Sequence, residues 1–157
     1  MFVTHRVEHF RALSNKDLES ALSVYPQFRG VFSKDMLPQR INSNEIGVVN
    51  LDDFGGGGTH WVCYFNTSQG LEKDHVIYFD SYGLSEPEEV KKYLETSGKQ
   101  IKYSSSEIQE FGSVMCGYYC IYVLNQLMKG YSFYDILYQF THWPSESNEV
   151  IIKNLFS

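Results

Sequence analysis

The sequence predicts an α+β fold, a central mixed sheet of four to five strands flanked by helices, in one domain over residues 1–157. Three observations lead there. Segments with helix-start signals stand at both ends of the chain. Between them lie short runs of apolar, β-branched and aromatic residues, each about as long as a buried strand. No repeat, low-complexity tract or Pro/Ser linker divides the 157 residues, a length that lets one domain bury a real core.

The elements follow in order. "SNKDLESALS" opens with a capping box, Ser14 with Asp17, and Leu18, Ala21 and Leu22 form one helical stripe that Pro26 soon ends. "EIGVVNL" (45–51) reads as a strand and "DDFGGGG" as a flexible turn. "HWVCYF" (60–65) and "HVIYFD" (75–80) read as two more strands, and "NTSQGLEKD" suits the hairpin between them. Ser85 with Glu88 reads as another capping box, with Pro87 in the first turn of a helix reaching about Leu94. "QIKYSS" is a short strand. Ser113 is read as the cap of a helix from about 114 to 129, stopped by Gly130. Within it Cys116, Cys120, Val123, Leu124, Leu127 and Met128 share a buried face. Two shorter helices close the chain, one after Ser132 and one around "NEVIIKNLF".

Composition narrows the function classes. Hydrophobic residues at 43% against charged residues at 20% are a globular balance. A net charge of −6 argues against a strong non-specific grip on DNA or an acidic membrane. Three cysteines are an odd number and too few for a disulfide scaffold, so a reducing compartment is expected. "MFVTHRVEHFRAL" has no uninterrupted apolar segment, so it does not read as a signal peptide, and no stretch is long enough to span a bilayer.

Free cysteine is usually core filler, and for Cys63 and Cys120 that reading stands. A metal site can be sketched from His60, Cys63, Cys116 and Cys120. Residues three apart on a strand point to opposite faces, however, so His60 and Cys63 are poorly placed to share an ion, and no metal is expected. Cys116 differs by position. It lies in the first turn of the expected helix, where unpaired backbone N–H groups and the helix dipole favour an anion and activate a thiol. A nucleophile also needs a base and a group that orients the base. His60, at the start of one strand, and Asp80, at the end of the next, offer both.

Four other histidines compete for the base. His5 and His9 sit in the N-terminal segment, His75 follows a charged turn, and His142 lies beside Trp143 and Pro144. His60 alone follows a glycine-rich turn, residues 55–58, that leaves room for a substrate backbone. Trp61 alternates away from His60 and reads most simply as core.

"GGTHWVCYF", "YFDSYGL" and "QEFGSVMCGYYCIY" together resemble, in order, the three catalytic blocks of the adenovirus-type (adenain-like) cysteine proteases. The related SUMO- and ubiquitin-like-protein proteases use the same order of His, acid, Gln and Cys. The resemblance covers about residues 30–128. It implies His60 as general base, Asp80 as the acid orienting it, Cys116 as nucleophile and Gln109 as the side chain completing the oxyanion hole. It further implies Trp61 and Gly58 as substrate-binding residues, the tryptophan covering the cleft, and no cofactor. Gln109 precedes Cys116 by seven residues, as in adenain, and Met115 stands where SUMO-type enzymes usually have an acidic residue. The subtype therefore resembles viral maturation proteases, including those of virophages and Polinton-type transposons.

The function this implies is a cysteine endopeptidase that cleaves viral capsid precursors at glycine-containing sites during virion maturation. It would act as a monomer in the virion and in the infected-cell cytoplasm or nucleus, with no membrane partner. Adenain's DNA and peptide activators are not expected here, given the acidic charge and the lack of a spare surface cysteine. The alternatives are a ubiquitin-like-protein deconjugating protease, a thioester-forming acyltransferase of the same fold, or a binding module that has lost catalysis.

Overall fold

A computed structural model of the chain describes residues 10–52 and 60–157. Among the described residues, five helices and a five-stranded mixed sheet make the α+β fold. Helix α1 (Asn15–Leu22) is followed by β1 (Phe28–Ser33), a 3-10 turn (Lys34–Met36), β2 (Glu45–Asn50), β3 (Trp61–Asn66) and β4 (His75–Phe79). Helix α2 (Glu88–Glu95), β5 (Gln100–Tyr103), α3 (Cys116–Met128), α4 (Phe133–Thr141) and α5 (Ser145–Leu155) complete the order.

The strands lie in sequence order, β1 to β5. β2, β3 and β4 form an antiparallel meander, while β1 joins β2 and β5 joins β4 in parallel. Alternation in the central strands splits the interior in two. Trp61, Cys63, Phe65, Ile77 and Phe79 face a large core under α1, α3, α4 and α5. Val62, Tyr64, Val76 and Tyr78 face a smaller core under α2, with Val90, Tyr93 and Leu94. α3 is buried almost all round, because Tyr119 and Ile121 are enclosed along with the expected stripe, of which Met128 alone is only partly buried.

Several expectations change. β1 was not legible, since its "FRGVFS" lies at the sheet edge, half-buried, with a glycine and an arginine inside and no alternation. The Ser85–Glu88 box does not form: α2 begins at Glu88, and Pro87 is its cap. Ser113 does not cap α3, whose N-cap is Met115. Its hydroxyl instead accepts from the Met115 N–H at 3.1 Å. The Ser14–Asp17 box is present, and Ser132 caps α4 through the Asp135 N–H. No helix among the described residues is long and apolar enough to cross a membrane.

Candidate active site

The site assembles where the N-terminus of α3 meets the ends of β3 and β4. The register pairs Cys63 with Phe79, which sets His60 and Asp80 on the same side of the sheet, diagonally across two strands. His60 Nε2 lies 2.8 Å from Asp80 Oδ1. The carboxylate is 1% exposed and the imidazole 16%. Asp80 Oδ1 also accepts the Tyr82 N–H at 2.8 Å, while the Asp80 carbonyl accepts from Gly83 at 2.8 Å. The carboxylate is thus held by the turn that follows it. The Tyr82 ring stacks on His60 with centroids 4.9 Å apart and planes 28° apart.

Cys116 is the first residue of α3, so its backbone N–H belongs to the unpaired first turn. Its Sγ accepts from the Trp61 N–H at 3.4 Å, and Cys120 Sγ donates to the Trp61 carbonyl at 3.5 Å. The backbone of one β3 residue therefore contacts two thiols one helical turn apart, which seats α3 against the end of β3 that follows His60. Burial pulls the His60 pKa down, but the Asp80 hydrogen bond, with Cys116 and the Asp80 charge behind it, outweighs it and pushes the value up to about 9.

Gly117 follows the thiol where no larger residue fits comfortably. A Cβ there would lie 3.1 Å from Leu13 Cδ1 and 3.3 Å from Trp61 Cδ1. Trp61 itself is buried and donates its indole N–H to the Leu13 carbonyl at 2.9 Å. That burial fits the core reading of this ring. Leu13 and Trp61 both lie against Gly117 in the first turn of α3. Gly58, the other expected substrate contact, lies outside the described residues, as do His5, His9 and the glycine-rich turn.

Gln109 is buried in the loop before α3. Its Oε1 accepts from Ser81 Oγ at 2.5 Å, which turns the NH2 group the opposite way. Nε2 donates to the Ser113 carbonyl at 2.8 Å and contacts Ser113 Oγ at 3.1 Å. An incoming oxyanion would compete with the longer of these. Ser81 and Tyr82 were missed in the sequence. Their only signal is position, since they directly follow Asp80 and alternate between the Gln109 side and the His60 side.

Of the four candidates, His60 and Asp80 meet at the β3 and β4 ends and Cys116 lies against the neighbouring Trp61 N–H, while Gln109 is tied to Ser81 and Ser113 in the loop before α3. Cys63 and Cys120 sit in the larger core, and burial, above all, raises the Cys120 thiol. Cys63 faces the Cys120 carbonyl while His60 turns to Asp80, so the sketched metal set is split. Among the described residues no group of three or more His, Cys, Asp or Glu side chains is placed to hold a metal ion.

No protein-family model matches the sequence, and no curated protein matches it. The fold is similar to part of that of the ASFV pS273R protease. One crystal structure of that protein aligns with a TM-score of 0.61 at 18% identity, over 80% of this chain and 61% of that one. A second, of its Se-Met form, aligns at 0.51 with 21% identity, over 69% and 42%. The chain therefore spans about three fifths of the length of the first and two fifths of the second. At such identities the likeness is one of fold.

Proposed function

We propose that this protein is a cysteine endopeptidase with Cys116 as nucleophile, His60 as general acid and base, Asp80 as the orienting carboxylate and Gln109 as oxyanion donor. One observation carries the reading. A single imidazole is bonded on Nε2 to a buried carboxylate, and the next residue of its strand, Trp61, donates its N–H to a cysteine at a helix N-terminus. A His60 pKa near 9 keeps that ring protonated at neutral pH, in the form that accompanies a thiolate.

In the reaction, Cys116 Sγ attacks the scissile carbonyl carbon, the C–S bond forms, and the carbonyl electron pair moves to oxygen. The Cys116 N–H and the Gln109 amide receive that charge. His60 gives its proton to the departing nitrogen as the C–N bond breaks, leaving a thioester. Water then transfers a proton to His60 while its oxygen attacks the thioester, and the C–S bond breaks to restore the thiolate. Asp80 holds the ring orientation throughout.

For substrate, the three sequence blocks resembling adenain-like enzymes and the glycine-rich turn before His60 favour viral capsid precursors cut at glycine-containing sites. A shared fold with a protein described as an ASFV protease agrees with that choice. The enzyme would act as a monomer during virion maturation, within the virion or the infected cell. Purified protein incubated with capsid precursors and, separately, with ubiquitin-like fusions, followed by mapping of new termini, tests this. Cleavage next to glycine in the precursors, absent in Cys116→Ala, is expected. Termini without nearby glycine would count against the substrate, and cleavage confined to the fusions would favour deconjugation. Equal activity in wild type and Cys116→Ala would end the peptidase reading.

A further inference from the structure

Helix α5 follows the motif-bearing segments, yet it buries two adjacent polar side chains. Asn148 is 0% exposed and Glu149 is 4% exposed. Such groups are costly in a core unless bonded, and both bond to the same short loop. Asn148 Nδ2 donates to the Ile108 carbonyl at 3.2 Å and to the Phe140 carbonyl at 2.9 Å. Both neighbours only accept, so the amide can face them in one orientation alone. The Glu149 carboxylate accepts from the Glu110 N–H at 3.4 Å and from the Tyr119 hydroxyl at 2.7 Å.

Ile108 and Glu110 flank Gln109. α5 therefore holds the carbonyl before Gln109 and the N–H after it. From the other side the Ser81 carbonyl accepts the N–H groups of Ile108 and Gln109, at 2.8 and 2.9 Å. Tyr119 sits on α3, less than a turn beyond Cys116, so Glu149 joins the Gln109 loop to the helix that bears the thiol.

We propose that Asn148 and Glu149 are positioning residues that fix the Gln109 amide relative to Cys116, an inference that rests on the peptidase reading above. Neither touches the reacting atoms. A helix that merely completes the core would lower stability when altered, and its effect on rate would be independent of Gln109. A positioning pair acts through Gln109 and loses its effect on rate once that side chain is gone.

The test compares Glu149→Ala, Asn148→Ala and the conservative Glu149→Gln, in otherwise wild-type protein and in Gln109→Ala. Peptide cleavage kinetics, the alkylation rate of Cys116 by iodoacetamide and the thermal midpoint are measured for each. Gln109→Ala should lower kcat by roughly 10²- to 10³-fold. Glu149→Ala and Asn148→Ala should lower kcat by roughly 10- to 100-fold, the scale of a misplaced catalytic group, with KM within about twofold. Alkylation develops no oxyanion, so its rate should stay at the wild-type value, and Glu149→Gln should recover most of kcat. On the Gln109→Ala background the same α5 changes should cost less than about twofold more.

Losses that multiply on that background, or alkylation that falls with kcat, would overturn the proposal. If Glu149→Ala does not fold, Tyr119→Phe breaks only the link to α3. It should give a smaller kcat loss that again vanishes without Gln109, and a loss that persists there overturns the proposal equally. Should Gln109→Ala alone change kcat less than threefold, the oxyanion role has failed, and the positioning claim falls with it. A full Gln109 effect with multiplying α5 losses removes the α5 claim alone.

Discussion

His60 meets Asp80 on Nε2 and the Tyr82 ring across its face, and against the pull of burial Asp80 and Cys116 together favour its protonated form. Its pKa is raised, from the ordinary 6.5 to about 9, so its contribution to folding has a definite pH window. That contribution is fully present below about pH 6.5 and is lost as pH rises through about 9. Activity that needs the imidazolium should follow, with kcat/KM falling on an alkaline limb near pH 9. Asp80→Asn removes the charge but keeps the shape, so the limb should move down by roughly one to three pH units. A kcat/KM profile recorded from pH 5 to 10 would reveal it, and an unmoved limb would show that Asp80 does not set the ring's proton affinity. Ser81→Ala should act more mildly. It frees Gln109 Oε1 and should lower kcat about 3- to 10-fold, the worth of one hydrogen bond, as steady-state kinetics would show.

Among the elements, the turn after β4 and the loop before α3 are the parts that must fit each other closely. Gly83 adopts φ +76°, and a Cβ there would lie 2.7 Å from the backbone carbonyl group of Ser106. Backbone cannot swing aside as a side chain does. Gly83→Ala should therefore cost about 2 kcal/mol or more, from the left-handed conformation and the clash together. The denaturant midpoint would report it, and a change under half of that would mean the loop yields. Because residues 105–109 move if Gly83 gains a side chain, kcat should fall as well. The reading of α3 erred at the same place. Ser113 looked like a cap by spacing, but its hydroxyl is used by Met115 and Gln109, and the helix opens with no side-chain cap at all.

Across the whole molecule, one buried polar network serves stability apart from the catalytic candidates. On the α2 side the buried Glu45 carboxylate gathers Arg29, the Asn42 N–H, Tyr64 and Tyr93 at 2.5–2.9 Å, joining β1, β2, β3 and α2. Glu45→Ala leaves Arg29 without this buried partner and two buried hydroxyls without their acceptor. It should cost about 3–5 kcal/mol in urea unfolding, the usual loss on breaking a buried charged network. For the molecules that stay folded, kcat should remain within about twofold, since these groups share no partner with the site. A large kcat loss at unchanged stability would contradict this division.

Where each chain segment becomes helix or strand was written mostly in local patterns: the Ser14–Asp17 box, the apolar runs of β2, β3 and β4, and the spacing along α3. Those signals need only neighbours in the chain, so they survive reading one residue at a time. The ordered resemblance likewise singled out His60, Asp80, Gln109 and Cys116 before any coordinates. What it could not supply was contact. That His60 reaches Asp80, with the Cys116 sulfur against the next residue of its strand, depends on the register of β3 with β4 and on the Trp61 backbone seating α3. The half-buried β1, the roles of Ser81 and Tyr82, and the reach of Asn148 and Glu149 to either side of Gln109 were equally invisible. They arise from residues far apart in the chain, whose polar groups must find partners once buried, and only the folded packing decides which partners those are.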